Sequence, residues 1–202
     1  MRVFCIGRNY VAHVHELGNQ MPDAPVVFMK PASAVLHTPA HFTYPQFTQD
    51  IHFECEIVLR VCKSGSNISK EDALSYIDAY TLGIDFTARD LQNACKDKRI
   101  SWEIAKAFDG SAPLGEWQSL SGIDVEAISF DFYQNSELKQ TGNSQLLIYP
   151  FSTLIAYLST YWQLQAGDII FTGTPEGVGP IAKGDHLSAE LGGKTVLDVH
   201  IQ

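Results

Sequence analysis

The chain has 202 residues, 45% of them hydrophobic and 18% charged, with a formal net charge of −9. Those values suit one globular domain with its own core and exclude a disordered segment, while the acidic balance leaves no basic stripe for nucleic acid or an anionic membrane. No run approaches the roughly eighteen apolar residues of a spanning helix, and "MRVFCIGRNY" lacks a signal-peptide pattern, so the expectation is a cytoplasmic protein without nucleic-acid or membrane partners.

"RVFCIG" opens the chain as a strand, and "NYVAHVHELG" reads as a helical turn ended by Gly18. His13 and Glu16 are three apart in that helix and so share a face. A carboxylate holding an imidazole makes a general base for water, and a plain surface pair is the alternative. His15 should point elsewhere and is given no role. From Gly18 to Gln49 there are five prolines, which predicts a loop-rich region with short strands at "VVFMK" and near His41 to Tyr44.

"IHFECEIVLRV", Ile51 to Val61, reads as one long strand. Ile51, Phe53, Cys55, Ile57 and Leu59 are apolar, and His52, Glu54 and Glu56 alternate with them. Residues two apart in a strand lie about 6.5 to 7 Å apart at Cα and project to one side, so the two carboxylates converge. Ionised and partly dry, they repel each other unless a cation stands between them, and an all-oxygen site suits magnesium or manganese. A solvated face with Arg60 pairing one glutamate is the alternative.

After the polar turn "KSGSN", Ser69 and Asp72 sit at capping-box spacing for a helix from about Lys70. "YIDAYTLGIDFTARD" is a strand-like run leading into a helix, "ARDLQNACKDK", that begins near Asp85 to Arg89. Asp85 lies inside an apolar run, where an unpaired carboxylate is costly, and a role as third ligand would account for it. Lys106, in "IAKAFD", could bring positive charge into a pocket, with a snorkelling surface lysine as the alternative.

"ISFDFYQNSELKQTG" alternates and turns at Gln134 to Ser136 as a hairpin. An amphipathic helix follows, with Pro150 in its first turn and Phe151, Leu154, Ile155, Leu158 and Trp162 as its core stripe. The tail reads as three strands with a Gly/Pro loop between the first two. "GTPEGVGP" in that loop lacks the GK[ST] ending and a following helix, which excludes nucleotide binding, although its N–H groups could approach an anionic substrate. GxSxG and HExxH patterns are absent, excluding those hydrolase classes. Cys5, Cys55, Cys62 and Cys95 lack CxxC spacing and are expected as buried free thiols. Strands outnumber helices without regular alternation, and no linker or repeat divides the chain, which predicts a single α+β domain over residues 1–202.

Taken in series, "CIGRNYVAHVHEL", "VFMKP", "HFECE", "GIDFTARDLQ", "WEIAKAFDGSAPLG" and "GDIIFTGTPEGVGP" resemble the fumarylacetoacetate hydrolase family across nearly the whole chain, most of all its small single-domain acylpyruvate hydrolases. The resemblance implies a mixed β-sandwich roll with peripheral helices, usually a homodimer, holding one magnesium or manganese ion through Glu54, Glu56 and Asp85. It implies a water-activating pair, His13 and Glu16, on a mobile lid, with Lys106 as a catalytic cation. Arg89, Gln92 and Thr174 would line the substrate site, and Arg8 and Lys30 lie in matching motifs as further substrate-binding residues. The implied reaction cleaves the C3–C4 bond of a 2,4-dioxo acid to pyruvate and a carboxylic acid. Oxaloacetate decarboxylation or keto–enol tautomerisation would pass through the same enolate.

Two departures from the family pattern stand out. The namesake enzyme adds a metal-binding carboxylate from a separate N-terminal domain not found in this chain, which implies water at that position and a substrate other than fumarylacetoacetate. Phe53 stands where many relatives carry a second histidine, and alternation turns it off the metal face.

Overall fold

The computed structural model describes residues 1–18 and 20–202. Its apolar alternations sort into three sheets, two of mixed direction and one antiparallel, with few helices. The largest sheet has eight strands and runs in the order Val26–Lys30, Val3–Gly7, Ile169–Phe171, Cys55–Val61, Ile77–Ile84, Ala112–Leu114 and Val35–His37, with Gln118–Ser119 paired beside Ile77–Ile84. A five-stranded sheet runs Glu137–Asn143, Ser129–Gln134, His186–Leu191, Lys194–Ile201 and Ala40–Phe42. The third sheet is short: Gly179–Pro180, Ile51–Phe53 and Thr87–Ala88. The architecture is the α+β arrangement that the irregular strand and helix pattern predicts.

The large sheet is covered on both sides, and alternation shows how. Phe4, Ile6, Ile57, Leu59 and Ile170 face the main core, which is shared with the five-stranded sheet. Val3, Cys5, Val58, Ile169 and Phe171 face a smaller cluster on the other side. A strand buried on both faces reads as a near-continuous apolar run, as Cys55–Val61 does.

The helix Phe151–Tyr161 buries Phe151, Leu154, Ile155 and Leu158, while Trp162, just past its end, packs 5.5 Å from the Phe4 ring. Burying each of those side chains stabilises the fold by about 1.5–3 kcal/mol. Ser69 Oγ accepts the Asp72 N–H at 3.1 Å, as the capping spacing predicts. The hairpin turns at Asn135 and Ser136, both at positive φ, 53° and 66°, which is the backbone a two-residue turn between twisted strands requires.

Two expectations are corrected, and one alternative is set aside. The run Ile51 to Val61 is two strands, because the backbone changes partners at Glu54: Ile51–Phe53 pairs with Thr87–Ala88 and Gly179–Pro180, and Cys55–Val61 with Ile77–Ile84 and Ile169–Phe171. Arg60 pairs with Asp78 of the neighbouring strand at 2.9 Å, with both side chains partly exposed, and not with a glutamate. All four cysteines are free, but Cys62 is exposed where the other three are buried. Among the described residues no helix is long and apolar enough to cross a membrane.

Candidate active site

The partner change at Glu54 makes a corner, and strand register brings Asp85 to it. Glu56 lies opposite Gly83 in the neighbouring strand, and Asp85 follows that strand's end, its N–H donating to the Glu54 carbonyl at 2.8 Å. Glu54, Glu56 and Asp85 are 6%, 1% and 1% exposed, and one carboxylate oxygen from each lies within 4.8 Å of the other two. Phe53 packs away from them, 4.7 Å from the Phe132 ring in the core.

Three buried cations stand against these three acids. Lys106 Nζ donates to Glu54 Oε2 at 2.7 Å and to Asp85 Oδ2 at 2.6 Å. Arg89 donates to Glu54 Oε1 at 2.6 Å and to Gln92 Oε1 at 2.7 Å. Lys30 Nζ lies 2.8 Å from Asp85 Oδ1 and donates to Ser111 Oγ, to the Phe86 and Ser111 carbonyls and to the Lys106 carbonyl. Lys30 thus stands behind Asp85 and fixes the Lys106 backbone, with its donors spent on the protein itself.

The charges are shared unequally. Burial alone would raise the Glu54 pKa, but Lys106, Arg89 and His13 outweigh it and hold the carboxyl well below the usual carboxylate range. Burial, and then the Asp85 charge, push Glu56 well above that range even though the Gly173 N–H donates to its Oε2 at 2.7 Å. For Lys106, burial acts to lower the pKa, and Asp85 and Glu54 outweigh it and raise it.

A hard divalent cation fits this donor set. The oxygens are convergent and buried, Glu56 pairs with no cation among the described residues, and Asp85 Oδ1 is buried without a hydrogen bond because Lys30 approaches it off the hydrogen-bonding angle. Glu54, Glu56 and Asp85 are the residues that would hold magnesium or manganese.

These groups border a narrow cavity with room for about 30 Å³, open to solvent on one side. Glu54, Glu56 and Lys106 line it, as do Arg89, Gln92 and Thr174, and Arg8 and His13 complete the predicted residues on its wall. Arg8 sits at a positive φ of 60°, a sparsely populated conformation for a side chain with a Cβ. Asp85, Lys30 and Glu16 lie outside the wall. Phe28 and Trp102, packed edge-on at 6.1 Å, supply an apolar side that the sequence did not reveal.

Glu16 reaches the cavity through His13. His13 is buried, with Nδ1 3.0 Å from Glu16 Oε2, and Glu16 Oε1 accepts the Gly177 N–H at 2.9 Å. His15 is exposed. Two amides of the "GTPEGVGP" loop, Gly173 and Gly177, are therefore engaged by Glu56 and Glu16 rather than free for an anionic substrate.

Gln140 is the buried residue supporting the site that sequence reasoning missed. Its amide bridges the strand and the loop: Oε1 accepts the Cys55 N–H at 3.0 Å and Nε2 donates to Thr174 Oγ1 at 2.8 Å. Thr174 in turn donates to the Cys55 carbonyl at 2.8 Å. The available signal was a polar residue at an inward position of an alternating hairpin strand, since buried polar groups are placed for a hydrogen bond. Asn9 does the same for the loop's start, donating to the Thr172 carbonyl at 2.8 Å.

Across residues 2–202 the chain matches the family described as fumarylacetoacetate (FAA) hydrolase C-terminal. The Bos taurus protein named oxaloacetate tautomerase FAHD1, mitochondrial, is 35% identical over 192 residues, covering 95% of this chain and 87% of that one. The Dictyostelium discoideum protein named oxaloacetate decarboxylase, mitochondrial, is 34% identical over 203 residues, covering 100% and 92%. The crystal structure of fumarylpyruvate hydrolase from Pseudomonas aeruginosa, in complex with Mn2+ and pyruvate, is similar with a TM-score of 0.93 at 35% identity, covering 100% of this chain and 89% of that one.

Proposed function

The chain belongs to the fumarylacetoacetate hydrolase family, and on that premise we propose that it is a divalent-metal-dependent enzyme that hydrolyses the C3–C4 bond of 2,4-dioxo acids, giving pyruvate and a carboxylic acid. The observation that carries this reading is the His13–Glu16 pair, whose imidazole lines the same cavity as the carboxylate cluster. Bound magnesium or manganese would draw electron density from the 2-oxo carbonyl of the substrate.

The chain's own residues do the rest. Arg8 and Arg89 supply positive charge for the substrate carboxylate. Glu16, fixed by the Gly177 N–H, holds Nδ1–H of His13, so that Nε2 takes a proton from water. The water oxygen adds to the C4 carbonyl, the C3–C4 bond breaks, and its electron pair leaves as the enolate of pyruvate. The Lys106 ammonium stabilises the charge growing on the enolate oxygen. The proton taken by His13 returns to C3.

A second reading, oxaloacetate tautomerisation or decarboxylation, is favoured by the names of the two relatives above. It needs the enolate stabilised but no activated water. The two are separated by measuring kcat/KM for acetylpyruvate, fumarylpyruvate and oxaloacetate, with magnesium, in the wild type and in Glu16→Gln. Hydrolysis should fall on the order of a hundredfold in the variant, because a neutral amide no longer fixes the His13 tautomer or stabilises the imidazolium that forms, with metal affinity kept. Wild-type turnover of oxaloacetate far above that of either acylpyruvate would select the second reading, and an unimpaired variant would remove the dyad.

A further inference from the structure

The outward face of the five-stranded sheet carries another group of metal-ligating side chains, none of which lines the cavity. The Lys194–Ile201 strand sets His200 opposite His186 on one side and opposite His41 on the other. Leu187, Val199 and Ile201 are buried in the core, so alternation turns the three imidazoles outward in a row, and Asp198, two residues before His200, shares their face. The His186 and His200 rings stack 4.6 Å apart at 15°, and His41 lies 5.6 Å beyond His200.

The contacts within this group have hydrogen-bond length without hydrogen-bond geometry. His186 Nε2 is 3.2 Å from Asp198 Oδ2, and His200 Nε2 is 3.3 Å from Asp198 Oδ1, yet His186 Nε2 and Asp198 Oδ1 are buried atoms with no hydrogen-bond partner. Buried polar atoms left unpaired are uncommon and call for a partner. One ligand atom each from His186, Asp198 and His200 lies within 4.8 Å of the other two.

We propose that His186, Asp198 and His200 form a second metal site that takes a transition ion of the zinc class. Two imidazole nitrogens and one carboxylate oxygen are a borderline donor set, suited to zinc, nickel or copper and unlike the all-oxygen cluster at the cavity. Metal–ligand bonds of about 2.0–2.2 Å in tetrahedral geometry place donors about 3.3 Å apart; each imidazole nitrogen already lies at that spacing from one oxygen of Asp198, His186 from Oδ2 and His200 from Oδ1, so a small carboxylate rotation lets one oxygen serve both. The rings need only turn about their broad Cβ–Cγ torsions for the nitrogens to converge, and side chains 39% and 51% exposed are free to do so. An ion there would clamp the hairpin of His186–Leu191 and Lys194–Ile201.

The test is calorimetric titration of zinc chloride into tag-free protein held in excess magnesium, which favours the all-oxygen cluster. One zinc per chain is expected, with affinity at least tenfold lower in His200→Ala and in His186→Ala and unchanged in Glu56→Ala. Both histidines are at the surface, and melting curves in zinc-free buffer verify that the variants fold. Saturating zinc should raise the melting temperature of the wild type and not that of His200→Ala. Equal zinc affinity in wild type and His200→Ala overturns the site. So does binding lost only in Glu56→Ala, or half a zinc per chain with a doubled molecular mass.

Discussion

At the scale of single residues, Lys106 decides how the carboxylates coexist. It is 3% exposed and its ammonium donates to both Glu54 and Asp85, so two of the three acids share one buried cation. Removing one member of a buried ion pair leaves the other charged and unsolvated, at a cost of about 3–5 kcal/mol. Lys106→Met is therefore expected to lose about that much stability in chelator, read by urea denaturation, and magnesium should restore part of it by supplying another positive charge. Its kcat on any 2-oxo acid substrate should also fall. Full stability and full activity together would return Lys106 to a spectator. The residues of this group were legible in the sequence because each broke a local pattern: two glutamates on one strand face, an aspartate and a lysine inside apolar runs. Their mutual neutralisation was not legible, because it depends on Arg89 and Lys30 arriving from elements 35 and 55 positions away from Glu54 and Asp85 respectively.

At the scale of elements, strands hold the site by their ends. Ile169–Phe171 begins beside Asp168 and runs out into Gly173, whose N–H meets Glu56. Asp168 accepts from the Arg2 backbone at 2.9 Å, from the Arg2 guanidinium and from the Gln165 N–H, which pins the parallel pairing with Val3–Gly7. Burial raises the Asp168 pKa, but the Arg2 and Gln165 donors outweigh it and hold the carboxyl below the usual range. A depressed carboxylate contributes stability above its unfolded pKa of about 3.9, and that contribution is lost as pH falls through the folded value. Asp168→Asn should therefore be less stable than wild type by about 1–3 kcal/mol near neutral pH, with the gap narrowing as pH falls below the unfolded pKa of about 3.9 in denaturant titrations. A gap of constant size would mean that shape, not charge, is what Asn fails to supply. The break at Glu54 shows what alternation hides at this scale: an extended backbone keeps its period of two while exchanging one set of partners for another, and only the register of Thr87–Ala88 and Ile77–Ile84 reveals the change. The His186–Asp198–His200 group was hidden for the same reason, since cross-strand neighbours are set by register.

At the scale of the whole molecule, the site exists only when distant parts of the chain close on one another. The Gly173 N–H reaches Glu56 across 117 positions and the Gly177 N–H reaches Glu16 across 161. The unfolded chain therefore offers no such cluster, and an ion that needs all three carboxylates binds the folded state alone. Such a ligand stabilises by RT ln(1 + [L]/Kd), about 2.7 kcal/mol at a hundredfold excess over Kd. For a chain of this length about 1 kcal/mol moves the melting temperature by about 2–4 °C, so magnesium at that excess should raise it by about 5–11 °C. Glu56→Ala, with affinity reduced at least tenfold, should keep no more than about 1.4 kcal/mol of the effect at the same magnesium concentration, or about half the shift. His200→Ala should show the full wild-type shift, because magnesium prefers the all-oxygen cluster over imidazole nitrogen. A melting curve indifferent to magnesium in the wild type, or an equal rise in Glu56→Ala, would sink the assignment of the ion to Glu54, Glu56 and Asp85.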